Sequence, residues 1–155
     1  MNFSNFFIIL FIILLFTITN VSQAVDYGAT MNFAASNNTL KVGDTFSLTL
    51  SLASVTNVEG VATVHAKIEF DNQILRLDSC EALNSWSAPS YNEANQEFVT
   101  ERSDVMAPTG EIIKFNFTVL AEPENNSTTI SVTNFDVADT NNQINVPDVT
   151  ATLTV

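Results

Sequence analysis

Beyond residue 25, apolar and polar residues alternate almost without interruption, a period that suits strands burying one face and wetting the other. "DTFSLTLSL" sets Phe46, Leu48, Leu50 and Leu52 on one side and Thr45, Ser47, Thr49 and Ser51 on the other. "VATVHAKIEF" sets Ala62, Val64, Ala66, Ile68 and Phe70 against Thr63, His65, Lys67 and Glu69. "EIIKFNFTVL" opposes Ile113, Phe115, Phe117 and Val119 to Ile112, Lys114, Asn116 and Thr118, and "VTATLTV" alternates apolar residues with threonines. Phe46, Phe70, Phe115 and Phe117 are expected in the core, with Leu48 beside them.

Turn-forming clusters punctuate these runs: Ser36-Asn37-Asn38, Gly43-Asp44, Asp71-Asn72, Pro108-Thr109-Gly110, Asn125-Asn126 and Asn141-Asn142. Gly, Asn and Asp accept the backbone angles that tight reversals need. Many short strands with no helical period between them predict an all-β chain, an antiparallel two-sheet β-sandwich. The length leaves room for one domain over residues 25–155. Cys80 is the only cysteine, so no intrachain disulfide can form, a cysteine-built zinc site is excluded, and the core alone must hold the fold.

Residues 1–24 read as a signal peptide. "FFIILFIILLFTI" has the length of a signal-peptide apolar region and is shorter than the roughly 20 residues that span a bilayer. Ser22 and Ala24 place small residues where signal peptidase prefers them. Cleavage after Ala24 then yields a secreted, extracellular protein; an uncleaved anchor is the alternative. Five Lys and Arg against 17 Asp and Glu give a net charge of −12, which repels phosphate backbones and anionic lipid headgroups. That charge disfavours nucleic acid and membrane-surface partners.

Catalysis finds no constellation. A serine-type triad has only His65 to use, on the outward side of a strand, and the carboxylates are scattered over turns and outward positions rather than paired across a cleft. No cofactor is implied. Asp136, Asp139, Asn141 and Asn142 in "FDVADTNNQ" are hard oxygen ligands close enough in sequence to form a calcium loop, although the glycine-bearing pattern of an EF-hand is missing. Sequons for N-glycosylation fall at Asn37, Asn116, Asn125 and Asn126.

The order of motifs resembles a cohesin domain. "MNFAASNNTLKVGDTFSLTLSL", with Val42-Gly43-Asp44-Thr45 leading into a long strand, is followed by "NVEGVATVHAKIEFDNQILRLDSCE", in which Gly60 opens a strand and Phe70-Asp71 with Leu75 make the turn that closes it. "TGEIIKFNFTVL" and "TTISVTNFDVADTNNQINV" complete the series. Asn72 stands where such domains usually carry Pro, and Thr140-Asn141-Asn142 replaces a loop glycine.

This resemblance implies a nine-stranded jelly roll that acts as a monomer and binds a dockerin-like module in an extracellular polysaccharide-degrading or adhesion assembly. The alternative is a carbohydrate-binding module of the same fold, gripping polysaccharide directly. The resemblance also implies a binding face built from a third strand, a fifth and sixth, and a long strand near the C-terminal third, which we match to 63–70, 86–91, 97–102 and 111–120. Thr63, His65, Lys67, Glu69, Glu101, Lys114 and Asn116 then form the partner-binding set. His65, Lys67 and Lys114 are expected to gather on one face as a cationic patch of an otherwise acidic molecule.

Overall fold

The alternation described above becomes strands throughout the computed structural model, which describes residues 27–33, 39–55, 61–106, 110–138 and 143–155. They are β1 (Tyr27–Phe33), β2 (Thr45–Val55), β3 (Val61–Phe70), β4 (Leu75–Ala82), β5 (Ser90–Asn92), β6 (Glu97–Met106), β7 (Gly110–Val119), β8 (Ser127–Ala138), β9 (Gln143–Val146) and β10 (Val149–Thr154). Ten strands are counted among the described residues where nine were expected; β5 and β9 are three and four residues long. The leader, Gly60 and the Asp139 to Asn142 loop lie outside the described residues.

Two sheets face each other, as the two-sheet expectation required. One has the order β1-β2-β7-β4 and the other β10-β8-β3-β6-β5, with β9 paired to β8. Named strands pair antiparallel, while Thr39 makes an isolated parallel bridge to Thr154. The Leu40 N–H donates to the Thr154 carbonyl at 3.0 Å.

Side chains from both sheets interlock between them. Leu48, Leu50, Ile113, Phe115 and Phe117 contribute from the first sheet; Val64, Ala66, Ile68, Phe98, Ile130, Val132 and Phe135 contribute from the second, and all are sealed from solvent. Phe117 stacks on Phe46, centroids 5.3 Å apart and planes 13° from parallel, and receives the edge of Phe70 at 5.2 Å. Phe98 meets Phe115 edge-on at 5.3 Å across the two sheets. Offset and edge-on contacts match the negative faces and positive edges of aromatic rings.

Bulges account for two departures from the predicted facing. Leu50 pairs with Ile113 and Ser51 with Glu111, so Ile112 is an extra residue that turns inward, and Ile112 and Ile113 are both buried. The register with β6 breaks between Val61 and Thr63; Val61 takes the core place expected of Ala62. Phe70 keeps its expected inward side and packs against the core, half-buried because β3 ends there. A bulge inserts one residue and flips the facing beyond it, which strict alternation in sequence cannot announce.

Turn chemistry fixes where strands cross between sheets. In the turn before β2, Gly43 adopts φ +92°, a left-handed conformation that costs glycine nothing, and the Asp44 carboxylate accepts the Lys41 N–H at 2.9 Å. After β3, the Asp71 carboxylate accepts the Gln73 N–H at 2.8 Å and the Asp71 carbonyl accepts the Leu75 N–H at 2.8 Å. That double anchor sends the chain from the second sheet into β4 of the first. Cys80 lies on β4 opposite Phe115, and burial pushes its thiol up to about 11.

Candidate functional site

Four adjacent strands, β8-β3-β6-β5, offer their outward side chains on one surface. β3 runs through its middle, so each outward β3 residue has a cross-strand neighbour on both flanks, and directly opposed residues point the same way. Thr63 lies between Glu101 and Ala138, His65 between Val99 and Asp136, and Lys67 between Glu97 and Thr133, while Glu69 faces Ser131. Lys67 Nζ pairs with Glu69 Oε1 at 2.7 Å. Where β10 pairs with β8, the Ser131 and Thr150 hydroxyls are 2.9 Å apart. Five of the seven expected residues, Thr63, His65, Lys67, Glu69 and Glu101, are therefore brought together.

Lys114 and Asn116 are not. They lie on β7, in the opposite sheet, so the expected common face with His65 and Lys67 does not exist. The strand that flanks β3 is β8, not β7. On the far sheet, outward side chains bond to one another. Asn116 Nδ2 donates to Ser79 Oγ at 2.8 Å and Glu81 Oε1 at 2.6 Å, while Asn116 Oδ1 accepts from Ser47 Oγ at 2.7 Å. Lys114 Nζ pairs with Glu81 at 3.4 Å. Beside them, Asp78 is the extra residue where β4 bulges against β7; it accepts from the Thr118 hydroxyl and pairs with Arg76 Nε at 2.7 Å. The Thr118 hydrogen bond, aided by the Arg76 charge, holds the Asp78 carboxyl below the usual carboxylate value.

Nor is the β8-β3-β6-β5 surface cationic. His65 and Lys67 share it with Glu69, Glu97, Glu101 and Asp136, and Lys67 is already paired. The expected fifth strand at 86–91 is also shorter, starting at Ser90. The segment before it braces the β6 edge instead. The Ser87 N–H donates to the Glu101 carbonyl at 2.7 Å, Ser87 Oγ accepts the Glu101 N–H at 3.1 Å, and Thr100 Oγ1 donates to the Ser87 carbonyl at 2.7 Å. Trp86 is buried under the Arg102 guanidinium, 5.2 Å above the ring centroid. Cation–π contact there leaves the ring no flat platform for a polysaccharide surface.

Asp136 belongs to this face rather than to a loop. It pairs with Asn145 of β9, whose Nδ2 donates to Asp136 Oδ1 at 3.4 Å. The other calcium candidates, Asp139, Asn141 and Asn142, lie outside the described residues. Among the described residues, no group of three or more His, Cys, Asp or Glu is placed to hold a metal ion. Sequence reasoning missed Ser131, Thr133 and Asp136 as members of the face. Their signal was the polar alternation of "STTISVTNFDVA", as strong as that of the strand chosen in its place.

A family model described as the cohesin domain matches residues 31–155. The chain belongs to the cohesin family. A comparison with curated proteins gives no match. Among solved structures, this cohesin is similar to the cohesin module of a family 33 glycoside hydrolase from Clostridium perfringens, with a TM-score of 0.73 and 14% identity over 84% of this chain and 96% of that one. It is similar to a Clostridium thermocellum type I cohesin–dockerin complex at a TM-score of 0.60 and 12% identity, over 86% of this chain and 97% of that one. It is also similar to the sixth cohesin of scaffoldin B from Acetivibrio cellulolyticus, solved with a Cel5 dockerin mutant, at 0.61 and 13%, over 81% and 96%. At these identities the likeness establishes the fold: a cohesin β-sandwich.

Proposed function

We propose that this cohesin is a secreted, non-catalytic docking module that receives a dockerin-type partner on the outward face of β8-β3-β6-β5. The observation that carries the reading is the row of β3 side chains bordered on both flanks by carboxylates. On β4-β7-β2 the polar side chains satisfy one another across strands. On β8-β3-β6 a central row, Thr63, His65 and Lys67, is bordered by the carboxylates of Glu97, Glu101 and Asp136. Two of the similar structures are cohesins solved with dockerins, which supports the class of partner.

Carboxylates on both flanks favour a partner that brings Lys or Arg together with hydroxyl donors. Charge complementarity of this kind raises the association rate and fixes register. The test is calorimetry and pull-down of the secreted protein with dockerin modules. Glu97→Lys with Glu101→Lys should weaken binding roughly tenfold to a hundredfold, and Lys114→Ala on the opposite sheet should leave it unchanged. Loss of binding in the Lys114 variant alone would move the site to the β4-β7-β2 face. Secretion rests on the leader: N-terminal sequencing of material from the medium should begin at Val25, and an intact Met1 in a membrane fraction would refute it.

A further inference from the structure

At the end of the sandwich where β3 turns into β4, a cleft of about 480 Å³ opens between that turn and the β5–β6 hairpin. It belongs to neither outer face. We infer that it is a second binding site of this cohesin, shaped for a neutral saccharide. Half of its lining is apolar, from Phe70, Leu77, Tyr91 and Leu120, with Leu75 sealed behind them. Leu120, at 40% relative exposure, is one of two large hydrophobic residues exposed among those described. Its rim carries hydrogen-bonding groups of both signs, from Arg76, Glu93, Gln96 and Gln73.

A sugar ring needs this combination, because its C–H faces pack against aromatic and aliphatic carbon while its hydroxyls need both donors and acceptors. Pockets for small ligands pair an apolar lining with a few placed polar groups. The volume admits a mono- or disaccharide unit and leaves a longer chain to run out into solvent. Charge argues for a neutral one. Arg76 and Glu93 contribute one charge of each sign, Arg76 is engaged by Asp78, and the molecule as a whole is strongly acidic.

A second observation falls on the same wall. Gln96 is held at φ +58°, a left-handed conformation in which glycine or asparagine is at home and other residues are strained. Such angles cluster at ligand clamps and active sites, and Ser85, at φ +68° and away from the cleft, is the one other described residue besides glycine and asparagine that adopts one. Gln96 closes the β5–β6 hairpin, its carbonyl accepts the Ile68 N–H at 2.8 Å, and its side chain lines the cleft. The backbone bond would survive with glycine there; what glycine would remove is the amide.

Titration of the 15N-labelled secreted protein with cello-, xylo- and mannopentaose tests the assignment, with a galacturonic acid pentamer as the anionic control. At least one neutral sugar should shift the resonances of Tyr91, Glu93 and Gln96 at millimolar concentration, and the uronate should not compete. Gln96→Gly should weaken that binding severalfold while the melting temperature holds or rises; Tyr91→Ala should weaken it roughly tenfold, the loss of about one stacking contact. Because Tyr91 also packs on the core, the Gln96 variant decides the matter where the tyrosine variant unfolds. No shift with any neutral sugar, shifts confined to the β8-β3-β6-β5 face, stronger binding of the uronate, or undiminished binding by Gln96→Gly would each overturn the site.

Discussion

Thr118 looks from sequence like an outward threonine with nothing to do, since it alternates with buried Phe117 and Val119. In the folded protein its hydroxyl holds Asp78 at the β4 bulge, and that bond is the chief cause of the carboxyl's depressed value. A carboxylate whose folded value is lowered adds stability above its unfolded value, 3.8, and loses it as pH falls through the folded one. Thr118→Val should therefore return Asp78 toward the ordinary carboxylate range in a carbon-detected titration and make acid unfolding less steep. An unchanged Asp78 titration would show that Arg76 alone sets it. The alternation gave Thr118's facing correctly. Its partner was illegible, because Asp78 reaches it only through a one-residue bulge that no local pattern encodes.

Which strand joins which sheet is an element-scale question, and here the sequence was least informative. β7 and β8 are both long, both alternate, and both lie in the C-terminal half; periodicity says that each is half-buried and says nothing of its neighbour. Only non-local pairing separates them, placing β8 beside β3 and β7 between β2 and β4. Hence five of the seven anticipated face residues were legible, while Lys114 and Asn116 were misplaced and Asp136 was mistaken for part of a loop. The pairing itself depends on a bulge. His65 opposes Asp136 and Lys67 opposes Thr133, so β8 carries one residue too many, and Asn134 takes it up at φ +49°. Asparagine tolerates that angle and a β-branched residue does not. Asn134→Val should cost about 1 to 2 kcal/mol and Asn134→Gly close to nothing. Denaturant melts check this; equal loss in both would mean that the Asn134 side chain, not its backbone, is what the bulge requires.

At the scale of the whole molecule, the sandwich rests on one core with no disulfide to reinforce it, so core truncations take a large share of a stability that is typically only about 5 to 15 kcal/mol. Phe117 contacts rings from β2 and β3 at once, and Phe117→Ala should cost about 3 to 5 kcal/mol, read as a fall in the urea midpoint. A loss under about 1 kcal/mol would mean that the site collapses and the three-ring cluster is not where the sheets are joined. All-β class, two sheets and the principal core strands were legible from alternation and turn residues because both are local. Cys80 makes the interior observable in a different way. As the single thiol, half-buried on the edge strand β4 and held toward its protonated form by burial, it should be slow toward alkylating reagents while β4 is docked, since only the thiolate attacks. Its labelling rate is thus a built-in clock for the detachment of β4 from β7, timing how often this sheet edge opens under native conditions without any introduced probe.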